Sequence, residues 1–330
     1  MMKNTKTMDT LQTDLTPAQK RWMEYRFGIR YTFGINTFYN TETSEGTLDP
    51  SVITMKEVNV DQWILPALNA GMRYCVFTVK NHDGFCNWDT QHSFYNIMNT
   101  PFGRDILSVL AEACAANGMK LGLYYSLMDH YTSFKNDDDR FADMILHQVE
   151  ELLNNYGEIT QIWFDGFWDK QTGGWTRSPV DFVHAWRSEG AFRYKMDYLY
   201  RSIKAWQPDC MVMNHSTADF VGIPLHPVDA RCGIDVSYVV VDKKYWNWMG
   251  RESYFPIEIT INLSGKDSGK FNPGYWYWHE DDESIPDKER IYTWLELAER
   301  HEANLVLNCP ISPQGDLRLV DQQLLESLWH

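Results

Sequence analysis

The chain has 330 residues, 44% hydrophobic and 23% charged, which is ordinary for a globular protein and enough for one large domain or two smaller ones. Its formal net charge of −15, from 45 acidic against 30 basic residues, argues against nucleic acid or an anionic membrane as partner, because phosphate recognition needs a basic face. Six scattered cysteines with no CxxC pair speak against a zinc or redox site and read as buried free thiols.

The first 25 residues are polar around Pro17 and contain no apolar core of a signal peptide, and no long apolar run elsewhere suggests a membrane helix. A cytoplasmic protein is the expectation for the chain as written; a periplasmic or secreted protein whose leader had been removed would read the same. Residues 1–25 are expected as a lead-in and 26–330 as one barrel domain.

In chain order, Arg30–Phe38 alternates apolar and small polar residues as a strand does, and 40–50 is a polar loop. Val60–Met72 has apolar residues at helical spacing and meets a C-cap glycine at Gly71; Arg73–Lys80 is a predicted strand, followed by the loop 81–85. The pattern repeats as helix Asp105–Met119, strand Lys120–Leu127, helix Phe141–Tyr156 and strand Ile159–Phe164. Helix Ala191–Trp206 is stopped by Pro208, and strands are predicted at Cys210–Asn214, Val236–Asp242 and Ile257–Leu263. Helix Lys288–Glu302, strand Leu305–Cys309 and helix Leu319–Leu328 close the chain. Eight candidate strands alternating with helices predict an α/β fold, a (β/α)8 TIM-like barrel, irregular or incomplete in places. An open doubly wound sheet is the alternative, and the glycine-rich first turn it would show is absent.

In such a barrel, chemistry gathers at the C-terminal ends of the strands. Asp165 ends the apolar run Gln161–Phe164, and Gly166 lets the chain turn sharply after it. The plainer alternative is an Asp that only caps the next turn. Asn81, His82, Asp83, Ser126, Asn214, His215, Asp242, Glu258, Asn262 and Asn308 fall in or after other strands. Carboxylates among many aromatic rings, which make up 15% of the chain, suggest glycoside hydrolysis. A metal site from His82, His92 and His215 is disfavoured, since their spacing matches no ligand motif. No metal or cofactor is expected.

The sequence resembles glycoside hydrolase family 29, the α-L-fucosidases, from about Arg26 to its end. The resemblance is carried by 27–28 and 33–38, by His82-Asp83-Gly84-Phe85-Cys86 with Trp88, by 123–126, by Trp163-Phe164-Asp165-Gly166, and by Pro256-Ile257-Glu258, 273–276 and 304–308. It implies a retaining mechanism on fucosylated or related oligosaccharides or glycoconjugates, with Asp165 as nucleophile. For the acid/base it implies Glu258, with Asp235 as the rival in a loop where the family carries Glu. It also implies sugar contacts from Thr32, Glu42, Asn81, His82, Trp88, Tyr125, Arg231 and Tyr275. Three positions depart from the pattern: Thr32 and Asn81 stand where the family has His, and Glu42-Thr43 where it has Glu-Trp. An altered sugar pocket is therefore expected. The alternative from another class is a carbohydrate-binding descendant that has lost hydrolysis.

Overall fold

The structure is a computed structural model that describes residues 15–166, 194–214, 228–234, 245–248, 251–254, 256–265 and 274–328. Eight parallel strands close into a barrel. In chain order they are β1 (Phe27–Thr32), β2 (Tyr74–Lys80), β3 (Lys120–Ser126), β4 (Ile159–Asp165), β5 (Met211–Asn214), β6 (Ala230–Gly233), β9 (Ile257–Asn262) and β10 (Asn304–Pro310). The closing seam pairs Gly28 with Val306 and Arg30 with Asn308. Between β6 and β9 a short antiparallel pair, β7 (Tyr245–Trp248) and β8 (Arg251–Tyr254), stands outside the barrel.

Two strands differ from expectation. The first runs over 27–32 rather than 30–38, and a short helix, α2 (Ile35–Phe38), follows it. Every residue of β1 is buried, so alternation was the wrong guide: the outward side chains are core and the inward ones are Gly28, Arg30 and Thr32. The sixth barrel strand is Ala230–Gly233; it is only four residues long and interrupted by Arg231, so it carries no apolar run to find. The expected strand 236–242 lies outside the described residues.

Within the stretch expected as a lead-in, the described residues from 15 on include a helix. Thr16 and Gln19 form a reciprocal cap on α1 (Pro17–Met23), with Pro17 at its first turn. This helix puts Trp22 beneath the barrel, where its indole donates to Gln161 Oε1 (2.5 Å) and its carbonyl accepts from Asn304 (3.0 Å). Outside the sheet lie α3 (Asp61–Asn69), α4 (Ile106–Asn117), α5 (Asp138–Asn155), α6 (Met196–Trp206), α7 (Lys288–Arg300) and α8 (Leu319–Ser327). On α5, Phe141, Ile145, Val149 and Leu152 recur at helical spacing and are fully buried. The interior is filled by Trp22, Tyr74, Val76, Tyr124, Trp163, Met211, Met213, Ala230, Cys232 and Val306. A packed interior leaves only the strand ends free for function. All six cysteines are buried free thiols. Among the described residues no helix is long and apolar enough to cross a membrane.

Candidate active site

The pleat of β4 turns Gln161, Trp163 and Asp165 inward, in rising order from floor to mouth. Asp165 is the last residue of the strand, at the mouth. Its Oδ1 accepts the Gly166 N–H (2.7 Å) and its Oδ2 the Tyr124 phenol (2.6 Å). Gly166 is essential to that turn: its φ is +73°, and a Cβ there would come within 2.9 Å of the Met128 backbone nitrogen. Burial, and then the charge of Asp165, push the Tyr124 phenol far above its usual pKa, so it remains a neutral donor.

His82 stands beside this carboxylate, with Nε2 3.9 Å from Asp165 Oδ2 and Nδ1 2.7 Å from Ser126 Oγ. Its loop is held from below by Asp83, whose Oδ1 accepts the Phe85 N–H (2.7 Å) and whose Oδ2 accepts from Asn36 (3.0 Å). Burial pushes the Asp83 carboxyl up to about 7. Below the mouth, the Arg30 guanidinium lies among Tyr124 (3.8 Å to the ring centre), Trp276 (4.7 Å) and Trp163 (4.9 Å). Burial lowers its pKa, while the Tyr124 phenol and the Asp165 charge act in the opposite direction.

Several expected sugar-binding residues are joined to Asp165 through a relay of hydrogen-bonded residues. Asn81 accepts weakly from the Tyr124 phenol (3.5 Å) and donates to the Tyr277 oxygen (2.9 Å). Thr32 is buried one layer down and donates to Asn308 Oδ1 (2.6 Å), whose amide donates to the Trp276 carbonyl (3.0 Å). Glu42 reaches the same segment from the first loop. Its carboxylate accepts the N–H groups of Trp276 (2.9 Å) and Tyr277 (3.2 Å) and lies 2.8 Å from His279 Nε2. Tyr275 is half-buried and stacks on His279 at 3.9 Å, while its neighbour Trp276 covers Arg30.

Other expectations are corrected. Glu258 is the second residue of β9, at the floor, fully buried and in register with Asn304. Its carboxyl accepts from the Tyr74 phenol (2.7 Å) and the Gln161 amide (3.0 and 3.1 Å). Gln161 lies four residues before Asp165 on the same strand, so the Glu258 carboxyl is bonded to a residue about 13 Å of strand below Asp165. Retaining glycosidases need about 5 Å between their two carboxyl groups. Burial lifts Glu258 to about 7, so a raised pKa by itself does not mark an acid/base here. Trp88 is fully buried and donates to Glu151 on α5 (3.2 Å), with no ring face left for a sugar. Tyr125 points outward as well: its phenol donates to Gln148 on α5 (2.5 Å), and the residue that faces the mouth is Tyr124. Arg231 is fully buried and flanked on β6 by the inward-facing Ala230 and Cys232, which places it on the outer face of the sheet. His92 lies near Glu151 (3.5 Å) and stacks on His147, away from His82. Asp235, His215 and Asp242 lie outside the described residues; Asp235 comes two positions after the end of β6.

Arg30, Tyr124, Trp276 and Tyr277 are the site residues that sequence reasoning missed. Tyr124 was findable, since it shares the parity of Ser126 on β3 and is in register with Trp163. Among the described residues, no three His, Cys, Asp or Glu side chains gather as metal ligands would.

A family model described as Alpha-L-fucosidase matches residues 6–329. Alpha-L-fucosidase 1 of Arabidopsis thaliana is 32% identical over 325 residues, covering 93% of this chain and 58% of that protein. A putative alpha-L-fucosidase 1 of Oryza sativa subsp. japonica is 24% identical over 322 residues, 94% of this chain and 57% of that one. In structure, a glycoside hydrolase 29 family member from an unknown rumen bacterium superimposes with a TM-score of 0.76 at 22% identity, over 96% of this chain and 56% of that chain. An alpha-L-fucosidase of Lactobacillus casei, solved with alpha-L-fucose product, gives 0.67 at 19% identity, over 95% of this chain and 97% of that one. These structural likenesses speak for the fold. The chain spans a little over half the length of the curated relatives it matches along nearly its whole length. On the family match over almost every residue, with the closed barrel beneath it, the chain belongs to the alpha-L-fucosidase family, glycoside hydrolase family 29.

Proposed function

We propose that the chain is a retaining glycoside hydrolase that removes a terminal α-L-fucosyl or closely related residue, with Asp165 as nucleophile. The observation that carries this is the Asp165 carboxylate at the mouth of the barrel, one oxygen on a backbone N–H and the other on a neutral phenol, with His82 beside it. An Asp165 oxygen attacks the anomeric carbon as the glycosidic C–O bond breaks, and an acid delivers a proton to the departing oxygen. Water, deprotonated by the same acid in its anionic form, then attacks the anomeric carbon and releases the sugar and the free carboxylate. Two donors on Asp165 hold it in one rotamer, with the Arg30 guanidinium below it. In this reading His82 and Asn81 take sugar hydroxyls and Trp276 an apolar ring edge. With Glu258 at the floor, Asp235 is the acid/base in this reading.

The test is turnover of nitrophenyl α-L-fucoside beside a panel of other nitrophenyl glycosides, with NMR of the first-formed anomer. The expected result is α-configured product from the wild type and a loss of about three powers of ten or more in kcat for Asp165→Asn. An inverted product would remove Asp165 from the nucleophile role. Sugar binding without turnover on any glycoside would favour the binding-protein reading instead.

A further inference from the structure

The stretch that leaves β3 starts at the candidate site and ends on the surface. Leu127 N–H donates to the Asp165 carbonyl (2.8 Å), and Ser126 Oγ to the Met128 carbonyl (2.8 Å). The chain then turns on Asp129, which accepts the Thr132 N–H (2.8 Å). His130 N–H donates to the His82 carbonyl (2.9 Å), and Tyr131 N–H to the Asp83 carbonyl (3.2 Å). Tyr131 is therefore fixed to the same loop that presents His82 to Asp165.

Its ring is fixed as well. Tyr131 stacks on Tyr95 with centroids 4.6 Å apart and planes 15° apart. Tyr95 is buried, braced edge-on by Phe85 (5.1 Å), and its phenol donates to the Leu48 carbonyl (3.0 Å). Loops after β1, β2 and β3 thus hold one ring face of Tyr131, yet the residue remains 42% exposed, and Tyr39 of the first loop, 36% exposed, lies near the same Tyr95 phenol. The adjoining residue, His130, pairs with Glu45 (Nδ1 to Oε2, 3.4 Å), which puts polar side chains next to Tyr131 in the chain. A rigid flat ring with polar atoms at its margin suits a neutral pyranose, whose C–H face stacks while its hydroxyls reach the rim. The chain's net charge of −15 disfavours an anionic occupant.

We propose that Tyr131, braced by Tyr95, is the platform for the neutral sugar on the leaving-group side of the scissile bond. This rests on the hydrolase reading above and deepens it: the substrate is an oligosaccharide, recognised beyond its terminal residue.

The test compares α-L-fucosyl fluoride, which has no leaving-group sugar, with (1→2)-, (1→3)-, (1→4)- and (1→6)-linked α-L-fucosyl disaccharides. The readout is the ratio of kcat/KM for the preferred disaccharide to kcat/KM for the fluoride. In Tyr131→Ala this ratio falls about tenfold, through KM, and Tyr131→Trp recovers it. An unchanged ratio in Tyr131→Ala, including a variant equally weakened on both substrates, would overturn the platform and leave the hydrolase standing. A wild type inactive on the fluoride and on every disaccharide would overturn the hydrolase reading and the platform together.

Discussion

At the scale of single residues, Asp165 and Glu258 show what kind of knowledge a sequence carries. A short apolar run ending in Asp-Gly gave both the strand and the end at which the carboxylate sits, and the structure puts Asp165 there. Glu258 was legible as a strand residue, but which end of β9 it occupies depends on where that strand begins. Tyr125 was misplaced by one position for a similar reason, because parity decides which of two adjacent tyrosines meets Asp165. A buried Glu at the floor has its own signature. Its folded pKa of about 7 lies above the ordinary value of 4.5, so the native state holds the proton more tightly. The resulting stabilisation is present in full below about pH 4 and is lost as pH rises through about 7, on the order of 3 kcal/mol. Urea titrations at about pH 5 and pH 8 should show the wild-type midpoint falling at the higher pH and Glu258→Gln falling less. Glu258→Gln should also keep kcat within about threefold of wild type. A collapse of turnover with an intact fold would return Glu258 to the acid/base role.

At the scale of elements, the site is built by loops that brace one another. Lys80 and Asp129 form a fully buried ion pair (3.2 Å) linking the end of β2 to the loop after β3. Gly84, at φ +89°, passes so close that a Cβ would come within 2.3 Å of Asp129 Oδ1. Glu42 clamps the segment at 276–279, and Asn308 holds it from β10. None of this was readable from the chain, since each contact joins residues far apart in sequence, 49 positions for Lys80 with Asp129 and 234 for Glu42 with Trp276. The Glu42 carboxylate is committed to the backbone N–H groups of Trp276 and Tyr277. Asp129→Asn strands a buried ammonium and should cost about 3–5 kcal/mol in urea unfolding. Lys80→Met combined with Asp129→Leu should recover part of that loss. A single variant within about 1 kcal/mol of wild type would show that the pair does not hold these loops.

At the scale of the molecule, alternating strand and helix signals were enough for the barrel, because each long strand or amphipathic helix announces itself locally. The sixth strand was lost because four residues around a buried Arg carry no period. The closed barrel puts every strand's C-terminal end on one face, so residues from β1, β2, β3, β4 and the 274–279 segment meet around one carboxylate. Among the described aromatic residues, Trp163, Tyr124, Trp276 and Tyr277 line or underlie the mouth, while Trp22, Trp63 and Trp88 are core. The proposed reaction passes through a glycosyl group bonded to Asp165. It is tested most directly by incubating the protein with 2-deoxy-2-fluoro-α-L-fucosyl fluoride, which slows breakdown of a glycosyl-enzyme, and mapping the adduct by peptide mass spectrometry. One fluorofucosyl group per chain is expected, on the peptide holding Asp165 and absent from Asp165→Asn. An adduct on another carboxylate, or turnover of the native substrate with no adduct at all, would contradict it.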